Sequence, residues 1–384
     1  MRKPIKLIYM TLFLAVVVIG AATLMYTQLQ AEKRSLQNEA KQHQVTKQSK
    51  ESDIIATYLD KMTLEEKVGS LFFGRLPDEE TAVKDLEKYH VGGFILFGRD
   101  FEGRELEDVK ALTNRLQKHT PIPLIIGSDE EGGLVTRVSA ILPEPFLSPM
   151  ELYHSGKGLE AIKEDTISKA KLLKSIGIQT GLSPVADYAT NSTSFIYDRT
   201  IGEDIDTTAS YVKTVVEVMK RQKFGSTLKH FPGYGDNGDS HTDLIYDSRT
   251  VKELEKEAFL PFKAGIEAGA DSVLVSHNIL TEIDPVPASI SPKINQLLRK
   301  DLHFDGVIMT DDLDMAGLAD FISQEEAAYR VIEAGNDFIL GSHYDTQIPY
   351  LLDKIEAGKL SEERINQSVR RILKWKYRLG LLSE

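Results

Sequence analysis

Phe224-Gly225-Ser226-Thr227-Leu228-Lys229-His230-Phe231-Pro232-Gly233 is a short apolar run that ends in two polar side chains and breaks at a Pro-Gly turn. A brief apolar run bounded by turn residues reads as a buried strand, here over residues 224–228. The pattern recurs at residues 71–74, 92–98, 123–127, 178–184, 271–276, 306–310 and 337–341. Between these runs lie segments of helical periodicity, for example 207–220, 251–268 and 324–334. Eight strand-like runs alternating with helices over about 330 residues predict an α/β fold, a single (β/α)8 barrel of the TIM type. A doubly wound open sheet has the same alternation, but no Gly-x-Gly-x-x-Gly follows the first run, which weakens that alternative. Thr63 and Glu66 have the spacing of a capping box and mark an early helix start.

In a barrel the chemistry collects at the C-terminal ends of the strands. The predicted strands end in Asp129 and Glu131, in Asp187, in Lys229-His230, in His277 and in Asp311-Asp312. After the 224–228 run the loop returns Asp239 and His241, two residues apart. In a locally extended chain both side chains point the same way. An Asp carboxylate can then hold one ring nitrogen and leave the other to carry protons. Asp311, closing Gly306-Val307-Ile308-Met309-Thr310, is placed to act as nucleophile, metal ligand, hydrogen-bond acceptor or helix N-cap. Paired with an acid/base on another loop, it fits retaining glycoside hydrolysis.

The chain has 384 residues, 41% of them hydrophobic, enough for one large core. Its net charge of -12 is uneven: residues 1–52 carry +5 and the remainder -17. An acidic body without a basic stripe argues against nucleic acid. The sequence holds 0 cysteines, which removes disulfides, thiolate nucleophiles and cysteine metal sites. Arg2, Lys3 and Lys6 precede a 19-residue uncharged apolar run, 7–25, long enough for a hydrocarbon core of ~30 Å. This predicts an exported body held to the membrane by an uncleaved anchor over residues 1–26. A removed signal peptide, cut near Ala21-Ala22 or Ala31, is the rival. Residues 27–52 read as a polar spacer and 53–384 as the folded domain. The basic residues of the terminal helical segment, 361–382, read as a solvated face. His230, Asp236, Asp239 and His241 could surround a metal on paper, but no metal and no cofactor is expected. His277 reads equally as a structural histidine, and the sole tryptophan, Trp375, offers no sugar platform.

Lys229-His230-Phe231-Pro232-Gly233 with Asp239-Ser240-His241, and Met309-Thr310-Asp311-Asp312-Leu313, resemble glycoside hydrolase family 3. Gly127-Ser128-Asp129-Glu130-Glu131-Gly132-Gly133 with Arg137, and Asp198-Arg199-Thr200-Ile201-Gly202, complete a set that is similar to its bacterial β-N-acetylglucosaminidases of cell-wall turnover. The resemblance implies Asp311 as nucleophile, His241 as general acid/base with Asp239 as its partner, and Asp129, Arg137, Arg199, Lys229 and His230 as sugar-binding residues. It implies an amino-sugar glycan of peptidoglycan type as substrate, and the protein is expected to act as a monomer. Tyr234 and Leu134 depart from the family pattern at positions bearing on substrate preference. Two rivals use the same site: a β-glycoside phosphorylase, and a catalytically silent glycan-binding protein.

Overall fold

The computed structural model describes residues 48–383 continuously, together with isolated positions between 9 and 46. Most of the apolar run 7–25, and most of the spacer 27–52 up to residue 47, therefore lie outside the described residues. Among the described residues no helix is long and apolar enough to cross a membrane. The chain divides into Met1–Ile54 and Ile55–Glu384, and the second unit carries the fold described below.

Thr63 caps the helix Leu64–Gly69, and the capping box closes in both directions: Glu66 N donates to Thr63 Oγ1 (3.2 Å) and Thr63 N to Glu66 Oε2 (2.8 Å). Three strands follow, β1 (Phe72–Arg75), β2 (Gly93–Leu96) and β3 (Ile125–Ser128), separated by the helices Glu79–Tyr89 and Leu106–Lys118. Later come β4 (Thr227–Phe231), β5 (Tyr246–Asp247), β6 (Ser272–Val275), β7 (Ile279–Leu280), β8 (Val307–Thr310) and β9 (Ile339–Gly341). One parallel sheet has the order β3-β2-β1-β9 and a second the order β4-β6-β8, with β5 and β7 a small separate pair. Strands β2, β3, β6 and β8 are buried on both faces and appear in sequence as largely apolar runs without alternation, whereas β4, equally buried, carries Lys229 and His230.

Isolated parallel bridges join the two sheets at both seams: Thr180 pairs with Gly127 and with Gly225, and Met309 pairs with Phe338. The arrangement is consistent with the TIM-barrel type, although no continuous closed ladder forms. The predicted strand at 178–184 supplies bridges only. Gln179 N donates to Ile126 O (2.8 Å) and Gly225 N to Gln179 O (2.7 Å). Leu182 then turns to φ 45° and Pro184 has no N–H, so Ser183 O and Pro184 O only accept from β4, from Thr227 N (2.8 Å) and Lys229 N (3.4 Å), before Ala186 N donates to Lys229 O at 2.6 Å.

Aromatic side chains fill the interior. Phe73 stacks on Phe338 with ring centroids 5.1 Å apart, and Trp375 meets Phe338 edge-on. Gly127 must be glycine, because a Cβ there would lie 2.6 Å from the Phe73 ring. The last helix, Glu362–Leu379, buries Ile365, Val369, Ile372, Leu373 and Trp375, each worth about 1.5–3 kcal/mol.

Three expectations are corrected. β4 runs to Phe231, so Lys229 and His230 lie within the strand and not after it. The helix expected over 251–268 is two, Val251–Lys256 and Phe259–Ala268, broken at Glu257. The basic residues of the last helix are not all solvated. Lys376 is buried, and Arg371 Nη1 donates to Asp337 Oδ1 (3.0 Å) because that buried carboxylate beside β9 requires positive partners.

Candidate active site

The C-terminal ends of the parallel strands meet around one open pocket with about 640 Å³ of free space. Arg75, Phe97, Asp129, Arg137, Arg199, Lys229, His230, His241, Asp311 and Asp312 line it. All eight residues singled out from sequence are thus brought to one place, with Asp239 reaching the pocket through His241.

The floor is a buried network of charge. Lys229 Nζ donates to Asp129 Oδ1 and ion-pairs with Glu131 Oε1, each at 2.6 Å. Arg199 grips Glu131 with two parallel bonds, Nε to Oε2 at 2.9 Å and Nη2 to Oε1 at 2.7 Å. Burial alone would raise the Glu131 carboxyl, but Lys229 and Arg199 outweigh it and hold it well below the usual range. Burial likewise opposes the charge on Lys229, and Asp129 and Glu131 restore it, leaving the ammonium above its ordinary value. Arg137 Nη2 reaches Asp129 Oδ2 at 3.3 Å, while the buried Arg137 Nε has no protein partner. Arg75 and Arg137 both lie over the Phe97 ring, at 5.2 and 5.7 Å.

Glu130 shapes the loop that presents Arg137: its carboxylate accepts from Ser128 Oγ, Thr136 Oγ1, Arg137 N and Val138 N at 2.5–3.2 Å. His230 is fully engaged. A guanidinium only donates, so His230 Nε2 accepts from Arg199 Nη2 (3.1 Å) and Nδ1 donates to Asp187 Oδ2 (2.7 Å). In this arrangement His230 orients Arg199 and leaves direct donation to Lys229.

Asp311 follows β8. Its Oδ1 accepts the Asp312 N–H at 2.9 Å, and its buried Oδ2 has no protein partner. Burial pushes its carboxyl up, but the surrounding imidazoles of His230, His277 and His241 and the Asp312 N–H prevail, so it lies below the ordinary value. A buried, ionised oxygen left without a partner is set to meet something that is not protein. Arg75 fixes the neighbouring carboxylate, donating from Nε to Asp312 Oδ2 at 2.6 Å. His277 is structural: Nε2 donates to Asp312 O (3.0 Å), Nδ1 accepts from Ser289 Oγ (2.8 Å), and burial lowers its pKa.

His241 and Asp239 pair as expected, Nδ1 to Oδ1 at 2.6 Å, on a partly exposed loop. The pairing does not come from an extended chain. Asp239 Oδ1 also accepts His241 N (2.9 Å), so a turn built on the Asp side chain brings the two together. Of the four residues that could have surrounded a metal, Asp239 and His241 hold each other, His230 bonds to Asp187, and Asp236 accepts from Thr190 and Asn191. Among the described residues no group of three or more His, Asp or Glu is arranged to hold an ion.

Glu131, Asp187, Arg75, Asp312 and Phe97 were not singled out as binding residues from sequence. Glu131 and Asp187 carried a signal, a carboxylate just past a strand. Arg75 carried a weaker one, a cation one residue beyond the first apolar run.

Residues 63–375 match the Glycosyl hydrolase family 3 N terminal domain. The chain is 32% identical over 259 residues to a beta-hexosaminidase of Xylella fastidiosa, covering 66% of this chain and 76% of that protein. Among solved structures it is similar to a glycoside hydrolase family 3 beta-N-acetylglucosaminidase from Paenibacillus sp., with a TM-score of 0.77 and 31% identity. That alignment covers 84% of this chain and 64% of the other, so the chain spans about two thirds of its length. A beta-N-acetylhexosaminidase from Beutenbergia cavernae aligns with a TM-score of 0.73 and 26% identity, covering 82% of this chain and 98% of the other.

Proposed function

The chain belongs to glycoside hydrolase family 3, and from that premise and the pocket we infer a retaining exo-β-N-acetylglucosaminidase. The two sheets and their bridging segments are taken as a single (β/α)8 barrel. Asp311 Oδ2 attacks the anomeric carbon as His241 Nε2 gives its proton to the leaving oxygen. Asp239 holds Nδ1–H and steadies the positive ring before that transfer. In the second step His241 Nε2 takes a proton from water, and the hydroxide oxygen displaces Asp311 from the sugar. Asp129, which keeps lone pairs beyond those used by Lys229 and Arg137, accepts sugar hydroxyls, and Lys229 and Arg137 Nε donate to sugar oxygens.

One observation carries the reading: a buried, unpartnered Asp311 oxygen shares a pocket with a histidine whose other nitrogen is already held by a carboxylate. The terminal sugar is taken to be N-acetylglucosamine, because the Xylella relative is a beta-hexosaminidase and the Paenibacillus one a beta-N-acetylglucosaminidase, and the glycan to be of peptidoglycan type from the motif resemblance. The protein is taken to act as an exported monomer, anchored or released according to whether residues 1–26 are cleaved. The test is hydrolysis of paired aryl β-N-acetylglucosaminide and β-glucoside substrates, with and without phosphate. Preference for the acetamido sugar with release of free sugar is expected. Sugar phosphate as product would favour the phosphorylase, and no turnover by folded protein would favour a silent glycan-binding protein.

A further inference from the structure

The loop that carries His241 leaves the protein surface at Gly235 and returns at Tyr246. Within residues 235–246, Ser240 is the one buried residue. Two contacts hold it. Its carbonyl accepts the N–H of Gly317 at 3.0 Å, and its hydroxyl shares a 2.5 Å hydrogen bond with the phenol of Tyr234. Gly317 follows β8 and Tyr234 follows β4, so Ser240 is clamped between the strand that delivers Asp311 and the one that delivers Lys229 and His230.

Tyr234 is itself held rigidly. Its N–H donates to Asp187 Oδ1 at 2.7 Å, and its ring meets Phe195 and His230 edge-on, with centroids 4.9 and 5.2 Å apart. Asp187 Oδ2 accepts both the N–H and Nδ1–H of His230, whose Nε2 accepts from Arg199. A continuous set of hydrogen bonds therefore runs from the sugar-binding floor through His230, Asp187 and Tyr234 to Ser240, the residue that separates Asp239 from His241.

We propose that Tyr234 and Ser240 are positioning residues, a latch that sets the acid/base histidine over the pocket. The inference rests on the glycosidase reading for its catalytic consequence, but not for its structural one. Displacing a catalytic group by about 1 Å costs up to about 100-fold in rate. Loss of acid assistance is felt chiefly with poor leaving groups. The latch thus acts on the proton transfer to the leaving group and leaves ground-state sugar binding, which rests on Asp129, Lys229 and Arg137, untouched.

The test compares the full chain with Tyr234→Phe, Ser240→Ala and the double variant. Substrates are a nitrophenyl and an unsubstituted phenyl β-N-acetylglucosaminide. Each single variant is expected to lose about 10–100-fold in kcat/KM on the phenyl glycoside and less than about threefold on the nitrophenyl glycoside. The double variant is expected to lose no more than the worse single one, since the two groups share one bond. Equal losses on both substrates, no loss on either, or additive losses would overturn the proposal. Amide hydrogen exchange over residues 236–243 reads the latch without turnover. Exchange about fivefold faster in either variant, the size of one net hydrogen bond, is expected, and unchanged exchange would overturn the latch. A wild-type chain that hydrolyses neither substrate, with exchange still faster in the variants, would sink the glycosidase reading and leave the latch standing.

Discussion

Replacing Glu131 by Gln removes one negative charge from the floor of the pocket and leaves the shape unchanged. The Glu131 side chain is 1% exposed and answers two cations, Lys229 and Arg199. After the change Lys229 keeps Asp129 and the amide oxygen still accepts from one donor, but Arg199 loses its two-bond grip and the charge that both cations answer. The new amide also turns an N–H group toward donors, so at least one buried bond becomes a clash. Breaking a buried ion pair from one side costs about 3–5 kcal/mol. Glu131→Gln is expected to lose that much stability at pH 7, lowering the urea midpoint by about 1 M or more at an unchanged slope. Trp375, the single tryptophan, is buried and reports unfolding by fluorescence. The pH dependence has a definite sign. The folded pKa of Glu131 is depressed, so its contribution is complete above the ordinary glutamate value of 4.5 and is lost as pH falls below it. The gap between wild type and variant should therefore narrow below about pH 4.5. A stability loss under about 1 kcal/mol, or a gap that widens in acid, would refute the electrostatic account of the floor.

Lys376 behaves oppositely, because burial alone pushes its ammonium down to about 7. Between that value and the ordinary 10.5 the unfolded chain binds more protons, so wild-type stability should rise with pH across that window. Lys376→Met should flatten the rise and add a few kcal/mol at pH 7, measured by urea unfolding at pH 7 and 9. His241→Ala should cost about 100-fold or more on phenyl glycosides and far less on activated ones, seen as a leaving-group slope in kcat/KM. Gly317→Ala places a Cβ 2.8 Å from the Ser240 carbonyl oxygen, and backbone must move to relieve it. Its activity on poor leaving groups should fall about tenfold or more, with unfolding midpoints reporting whether the fold has shifted as well.

The strands were legible because parallel strands buried on both faces appear as unbroken apolar runs, and the motif residues sit at their ends. The 178–184 run misled on this point: Leu182 in the left-handed region and Pro184 without an N–H break a ladder that apolar composition alone suggests. Lys229 and His230 read as lying beyond β4 because polarity marks a strand end in sequence, whereas here buried carboxylates allow the strand to continue through them. The partners of those residues are long-range. Asp129 and Lys229 are 100 residues apart, and Arg75 and Asp312 are 237 apart, so no local spacing announces them. The Asp239–His241 pair was legible for the opposite reason, being closed by a turn of three residues. Tyr234 was noticed as a departure from a family pattern, but its bond to Ser240 depends on the path of the loop. Most of the apolar run 7–25 lies outside the described residues, and an anchored, exported body stands on its sequence pattern alone.

The most direct test of the central claim is the stereochemistry of the first product, followed by NMR during hydrolysis of an aryl β-N-acetylglucosaminide by wild type and Asp311→Ala. Retention through Asp311 predicts that the β-anomer of N-acetylglucosamine appears first, and that the folded variant loses about 10⁴-fold or more in turnover. First formation of the α-anomer, or an Asp311→Ala chain that keeps turning over, would contradict it.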